Sequence, residues 1–249
     1  FIGTKLVADR WINIPTYISL LVVLGILSVA VIASLVVPRK KSAAGEKPPE
    51  EPEKKSGDRD AAPAGISDLI RKLASSEEST RNSAAREIHR QGQELGGAAI
   101  AVWLRDEGVA NLIRPQATVG VAVQPAHFER VRIAAGNPHL ADVPPDQDAR
   151  EFEWQVDSAH LDILTTRDPA GSGAIARFLR KFGQGIQQVE FETPDVDRVT
   201  AILKSQLGVT PVYPATRRGA DGTRVNFFLA SAGTKRVLIE LVEAPKPEP

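Results

Sequence analysis

Gly185-Ile186-Gln187-Gln188-Val189-Glu190-Phe191-Glu192 and Arg236-Val237-Leu238-Ile239-Glu240-Leu241-Val242-Glu243 are the segments whose pattern decides the fold. Both alternate as half-buried strands do. In the first, Gln187, Val189 and Phe191 are expected on one face, and Ile186, Gln188, Glu190 and Glu192 on the other. In the second, Glu240 lies between Ile239 and Leu241, so it shares a face with Leu238 and Val242. A buried carboxylate is costly unless paired. Two such strands, separated by a helix and a hairpin, predict a polar-lined cup. Edge strands with solvated acids are the alternative that alternation leaves open.

Working outward, the pattern repeats from residue 115 onward. The first half reads as strand Thr118–Val123, helix Ala126–Ala135, a long connection, strand Glu151–Val156 and strand His160–Thr165. The second reads as strand Ile186–Glu192, helix Val196–Leu207, short strand Thr210–Tyr213, strand Arg224–Ala230 and strand Val237–Val242. Between them Ser172–Phe182 carries Ile175, Phe178 and Leu179 on an apolar face. The order is βαβββ twice, an α+β arrangement. Two such units side by side predict a curved sheet around a cleft. Alternation places His160, Asp162, Gln188, Glu190, Arg224, Asn226 and Glu240 on its inner face. The Gly219-Ala220-Asp221-Gly222 stretch reads as a hairpin turn. Arg217, Arg218 and Arg224 flank it and are candidates to receive a phosphate or carboxylate; a plain solvated turn is the competing reading.

The second half resembles the methylmalonyl-CoA epimerases of the vicinal-oxygen-chelate (glyoxalase-like, VOC) superfamily. The resemblance lies in Gly173-Ala174-Ile175-Ala176-Arg177-Phe178-Leu179, Gly185-Ile186-Gln187-Gln188, Gly219 to Phe227, and Val237-Leu238-Ile239-Glu240-Leu241. It implies paired βαβββ modules over 115–245. It also implies four metal ligands, one on each first and last strand. By position these are Thr118, Asp162, Gln188 and Glu240. The epimerase pattern has His at the first and third positions and Gln at the second, and only Glu240 matches. Two carboxylates and an amide oxygen suit Mn or Mg better than zinc. Related enzymes remove a proton alpha to a carbonyl, which needs a base and a cation at the enolate. Glu190 or Glu240 is the expected base, with a metal or Arg224 as the cation. Arg224, Asn226 and His160 are the expected ligand-binding residues. A metal-assisted epimerase, isomerase or lyase, a ligand- or metal-binding sensor, and a structural module with a vestigial cleft are the three readings.

The N-terminal part differs in kind. Ile18–Val37 is a run of 20 apolar or small residues. At about 1.5 Å per residue it would cross a bilayer core of roughly 30 Å. A transmembrane helix over about 15–38 is expected, with Trp11 and Tyr17 at one interface. Arg39, Lys40 and Lys41 follow the run and predict a cytoplasmic face for everything beyond it. Residues 1–38 resemble the C-terminal end of the TerC family of integral membrane proteins, through Phe1-Ile2-Gly3-Thr4-Lys5 and the Ile14-Pro15 turn before the last span. That resemblance implies a bacterial inner-membrane location, a lipid-bilayer partner and association with metal-ion transport. The chain contains no Met. It is therefore expected to be a fragment that pairs with earlier membrane helices of its own chain.

Residues 39–65 have no aromatic residue and read as a disordered linker. Such a chain has an end-to-end distance of roughly 26–31 Å. Residues 66–114 read as a helical segment. Ser75 and Glu78 suggest a capping box, and Gly92, Gly96 and Gly97 are expected to interrupt the pattern. Residues 246–249 are a tail. Across all 249 residues the formal net charge is +0, which argues against broad nucleic-acid binding. With no Cys, disulfides, thiolate metal sites and cysteine nucleophiles are excluded. Protease added to intact cells should leave residues 42–249 uncut; cleavage there in sealed cells would overturn the orientation.

Overall fold

The computed structural model describes residues 65–245. The apolar run at 18–37, the linker up to residue 64 and the tail at 246–249 lie outside the described residues. Among the described residues no helix is long and apolar enough to cross a membrane.

The helical segment forms α1 (Ile66–Lys72), α2 (Glu78–Ile100), a 3₁₀ turn at Trp103–Arg105 and α3 (Glu107–Ala110). The capping box is absent. Glu77 precedes the first helical residue, and its carboxylate accepts from the hydroxyls of Ser79 and Thr80 at 2.9 and 2.6 Å. Ser75 accepts instead from the Glu77 N–H at 3.2 Å. Nor do the glycines interrupt the helix, since α2 runs unbroken through Gly92, Gly96 and Gly97. Gly92 and Gly96 are one turn apart on one face, so their function is close approach. A Cβ at Gly92 would lie 2.5 Å from both Val119 methyls. A Cβ at Gly96 would lie 2.5 Å from a Val189 methyl.

The strands are β1 (Ala117–Ala122), β2 (Ala149–Val156), β3 (Ala159–Thr166), β4 (Gly185–Glu192), β5 (Arg217–Arg218), β6 (Arg224–Ala232) and β7 (Lys235–Glu243). Helices α4 (Pro125–Ala134), α5 (Ala174–Phe182) and α6 (Val196–Gln206) connect them. All seven strands form one sheet in the order β2-β3-β1-β4-β7-β6-β5. The halves meet at an antiparallel β1–β4 seam, with Val119 opposite Val189. Each first strand then pairs in parallel with the last strand of its own half.

Two expectations change. The first half carries two strands after its helix and a long connection, as its segments read, so it lacks the third strand of a βαβββ unit; residues 135–148 contain only the 3₁₀ turn Pro145–Gln147. In the second half Thr210–Tyr213 makes only a Pro211–Phe228 bridge, and the short strand is Arg217–Arg218. Proline cannot donate to a ladder, which accounts for a bridge in place of a strand.

The helices α1, α2, α4 and α6 pack on one face of the sheet. Ile70, Ile88, Val119, Phe128 and Ile163 form the core of the first half. Trp103, Val189, Phe191, Val199, Phe228 and Ile239 form that of the second. A smaller cluster, including Leu164, Ile175 and Leu179, lies under α5. Apolar side chains thus turn toward the helices and leave the polar set on the other face.

Gly92→Leu should destabilise the protein by about 1–3 kcal/mol through overpacking against Val119. Thermal unfolding of Gly92→Leu with and without Val119→Ala checks this, and partial rescue in the double variant is the expected result.

Candidate functional site

The strand pattern gives each site residue its direction. Along β7, Val237, Ile239 and Leu241 pack in the helix-side core, so Leu238, Glu240 and Val242 face the other way and line a cavity. Along β3, Leu161 and Ile163 are core and Asp162 faces the cavity. On β4 the alternation breaks. Gly120 pairs with Gln188, but Val121 pairs with Ile186, which leaves Gln187 as a bulge. A bulge shifts the side-chain parity. Gln187 and Gln188 therefore both line the cavity, and Ile186 packs into the core. The sequence pattern had put Gln187 on the opposite face.

The cavity has a volume of about 750 Å³, within the size range of small-molecule sites. Five carboxyl side chains rise into it from the sheet: Glu151, Glu153, Asp162, Glu190 and Glu240. Glu190 and Glu240 are direct cross-strand neighbours, as are Glu153 and Asp162. Gln188 donates its side-chain N–H to Glu240. The wall beside β7 is apolar, with Val212, Tyr213, Phe227 and Leu229. The rings of Tyr213 and Phe227 meet edge to face, centroids 5.9 Å apart.

Loops from the two halves join across the cavity. The Asp142 N–H donates to Asp221 Oδ1 at 2.7 Å, and the Asp221 N–H donates to Asp142 O at 3.1 Å. Gln147 donates to Arg218 O at 2.8 Å, and Arg217 pairs with Asp146. The turn at Gly219–Gly222 is present, with Asp221 at φ 48° and Gly222 at φ 77°. Its arginines are engaged. Arg217 also lies over the Tyr213 ring, 4.4 Å from the centroid, and Arg218 pairs with Asp142 at 3.6 Å.

Of the other predicted site residues, Arg224 and Asn226 are on the other face of the sheet, whereas Thr118 and His160 share the face of Glu190 and Asp162 but are outside the cavity lining. Arg224 and Asn226 are not on the inner face, because Phe227 is the residue opposite Glu240 in the β6–β7 register. Arg224 pairs instead with Asp197 of α6 and with Glu243. Asn226 is fully buried and accepts from the Phe227 N–H at 2.9 Å, with Nδ2 unpartnered among the described residues. Thr118 is opposite Glu190 in register, yet it is not among the described residues that line the cavity. His160 pairs in register with Gln155 and also lies outside that lining. Asp162, Gln188, Glu190 and Glu240 do share the cavity.

The expected metal set can be tested against this geometry. Thr118 is outside the lining, and the Gln188 amide is engaged with Glu240 through its N–H. Among the described residues no three His, Asp or Glu side chains are arranged to hold a metal ion. The four residues do not fit a divalent cation as a set.

Burial pushes the Glu151 carboxyl up to about 7, helped by Asp221 and then Glu153. Burial likewise holds Asp162 well above the usual carboxylate range, with Glu190, Glu151 and Glu153 adding to it. Glu190 is raised well above that range by burial and then by Glu240. Glu240 is raised by burial, then by Glu151 and Asp162. Desolvated like charges disfavour ionisation.

No protein-family model and no curated protein matches the chain. Solved structures do. The Mycobacterium tuberculosis methylmalonyl-CoA epimerase is 34% identical, with a TM-score of 0.42, over 54% of this chain and 89% of its own. A Streptomyces coelicolor methylmalonyl-CoA epimerase variant in complex with 2-nitronate-propionyl-CoA is 26% identical, with a TM-score of 0.42, over 52% and 96%. A hypothetical protein from Bacillus halodurans is 18% identical, with a TM-score of 0.42, over 53% and 95%. The curled mixed sheet, with its halves paired first strand to first strand, settles the class. This is a VOC-like α+β domain.

Sequence reading of the VOC-like domain missed Glu151, Glu153, Tyr213 and Phe227. The two acids were readable, since they alternate with buried Phe152 and Trp154. Phe227 required the β6–β7 register.

Removing one carboxyl tests the electrostatics. Glu151 holds its proton more tightly folded than unfolded. Below about pH 4 both states are largely protonated and almost no penalty arises. As pH rises toward about 7, the unfolded chain ionises first and stability falls. Glu151→Gln should therefore be more stable than the parent at pH 8, by roughly 3 kcal/mol at most, and nearly equal to it at pH 4. Thermal unfolding across that range is the measurement.

Proposed function

We propose that the VOC-like domain binds a small carbonyl or acyl compound in its concave cavity. The carrying observation is the group of carboxyls Asp162, Glu190 and Glu240, the last buried and the other two half-buried, on one face of the sheet in a cavity of small-molecule size. A buried acid kept neutral donates a hydrogen bond to a carbonyl oxygen, and strongly so where water is excluded. The apolar wall of Val212, Phe227 and Leu229 would take the carbon chain.

A second reading is an epimerase or isomerase, favoured by the cross-strand pairing of Glu190 with Glu240. In that reading one carboxylate removes the proton alpha to the carbonyl, and a protonated neighbour donates to the developing enolate oxygen. Asp162 is the candidate donor. Because the donor set does not fit a divalent cation, no step runs through one. The sensor reading stops at binding.

The rest of the chain supports a membrane-tethered setting. The apolar run at 18–37 and the Arg39-Lys40-Lys41 cluster favour an anchored protein with the VOC-like domain in the cytoplasm. A TerC-like membrane part with a role in metal-ion transport is proposed on residues 1–38 alone.

The direct test is NMR titration of the 249-residue chain in detergent with uncharged and charged short amides and esters. Shifts confined to Gln187, Gln188, Glu190, Phe227 and Glu240 are expected, and Glu240→Gln should weaken binding at least 10-fold. Shifts located elsewhere, or none, would remove the cavity from the proposal. Exchange of the alpha proton in D₂O separates the epimerase reading from binding alone.

A further inference from the structure

The cavity's hydrogen-bonding groups are one-sided. Glu240 is only 7% exposed; its Oε2 accepts from Gln188, and among the described residues no hydrogen bond reaches Oε1. Gln187 Oε1 is buried with no hydrogen-bond partner among the described residues. The Gln187 oxygen is a buried acceptor left without a donor, which is costly. The arginines lining the cavity are Arg177 and Arg217. Arg217 is committed to Asp146 and to the Tyr213 ring. Arg177 donates to the Ser172 carbonyl in the loop before α5. No lysine is among the described residues of the lining, and Arg217 on β5 is held by Asp146 and not by the carboxyl floor.

The wall beside this floor adds a second feature suited to positive charge. Phe227 is directly opposite Glu240 in register, and Tyr213 packs edge-on against it. Aromatic faces beside carboxylates attract organic cations through the ring quadrupole as well as by charge. A metal ion would need three ligands close together, and among the described residues no such group of His, Asp or Glu is present. An ammonium or guanidinium group needs acceptors at N–H hydrogen-bond distance, and the cavity offers them.

We infer that the cavity is built for a carbonyl compound that also carries a positively charged amino or guanidino group, with Glu240, Glu190 and Gln187 accepting from that group and Asp162 left to the carbonyl end. This rests on the small-molecule reading above and narrows its ligand class. On binding, the cation draws neighbouring carboxyls into their ionised form, so protons are released to solvent. An uncharged carbonyl compound held by neutral acids releases none.

Isothermal titration on the 249-residue chain in detergent tests this with glycinamide and 4-aminobutanamide, each paired with its N-acetylated, uncharged counterpart. Titration in two buffers of different ionisation enthalpy at pH 6.5 counts the protons. The expected result is at least 10-fold tighter binding of one or more amines than of the acetylated partner, with close to one proton released. Glu240→Gln and, independently, Glu190→Gln should remove that preference; circular dichroism identifies any variant that fails to fold. Equal or tighter binding of the acetylated compounds, or binding without proton release, overturns the inference and leaves the small-molecule reading standing. If no compound of either set binds, both fall together.

Discussion

The seating of one helix on the β1–β4 seam is the constraint on which the rest of the fold depends. Gly92 and Gly96 lie one turn apart, and they meet Val119 and Val189, which face each other across the seam. Val119 and Val189 occupy matching places in the two halves. A single helix therefore spans the junction and covers both. Any side chain at either glycine would hold the helix off the sheet and open a gap at the centre of the apolar face. With that face sealed, residues of the other parity on β3, β4 and β7 must turn to the concave side. The acidic floor follows from this division.

How that floor is tolerated is the second question. Carboxyls buried together without a cation cannot all be ionised at modest cost. The protein offers Glu240 a single amide N–H from Gln188 and otherwise raises the affinity of the group for protons. Arginines that could have neutralised the cluster are placed at the rim or on the helix side. Arg224 joins Asp197 and Glu243, where it ties α6 to the last strand. The floor keeps its unused acceptors, an arrangement that costs stability and suits a site.

Much of the architecture was legible because it depends on period-2 alternation and helix-length apolar stripes. The last strand shows this best, with Val237, Ile239 and Leu241 on one face and Leu238, Glu240 and Val242 on the other. Features that depend on register were not legible. The bulge at Gln187 is invisible locally, since Gly185 to Phe191 alternates well enough without it. Arg224 and Asn226 were placed one residue out of phase, because polar character alone suggested the inner face. Phe228 and Ala230 share their parity and are core residues, which was the available signal. The glycines of α2 look like helix breakers by propensity. Their close packing on the seam is a tertiary fact that outweighs it.

The loops that join the halves across the cavity have a different character from the seam. The seam is held by buried valines and ladder hydrogen bonds, which ions in solution scarcely affect. The loop junction relies partly on the ion pairs Arg217–Asp146 and Arg218–Asp142, whose side chains are exposed to solvent except for a partly covered Arg217. Attractions of that kind weaken as the Debye length shrinks. The rim can therefore loosen with ionic strength while the sheet beneath stays fixed. Traffic through the mouth would respond to the salt content of its compartment, even though the fold that holds the floor in place would not.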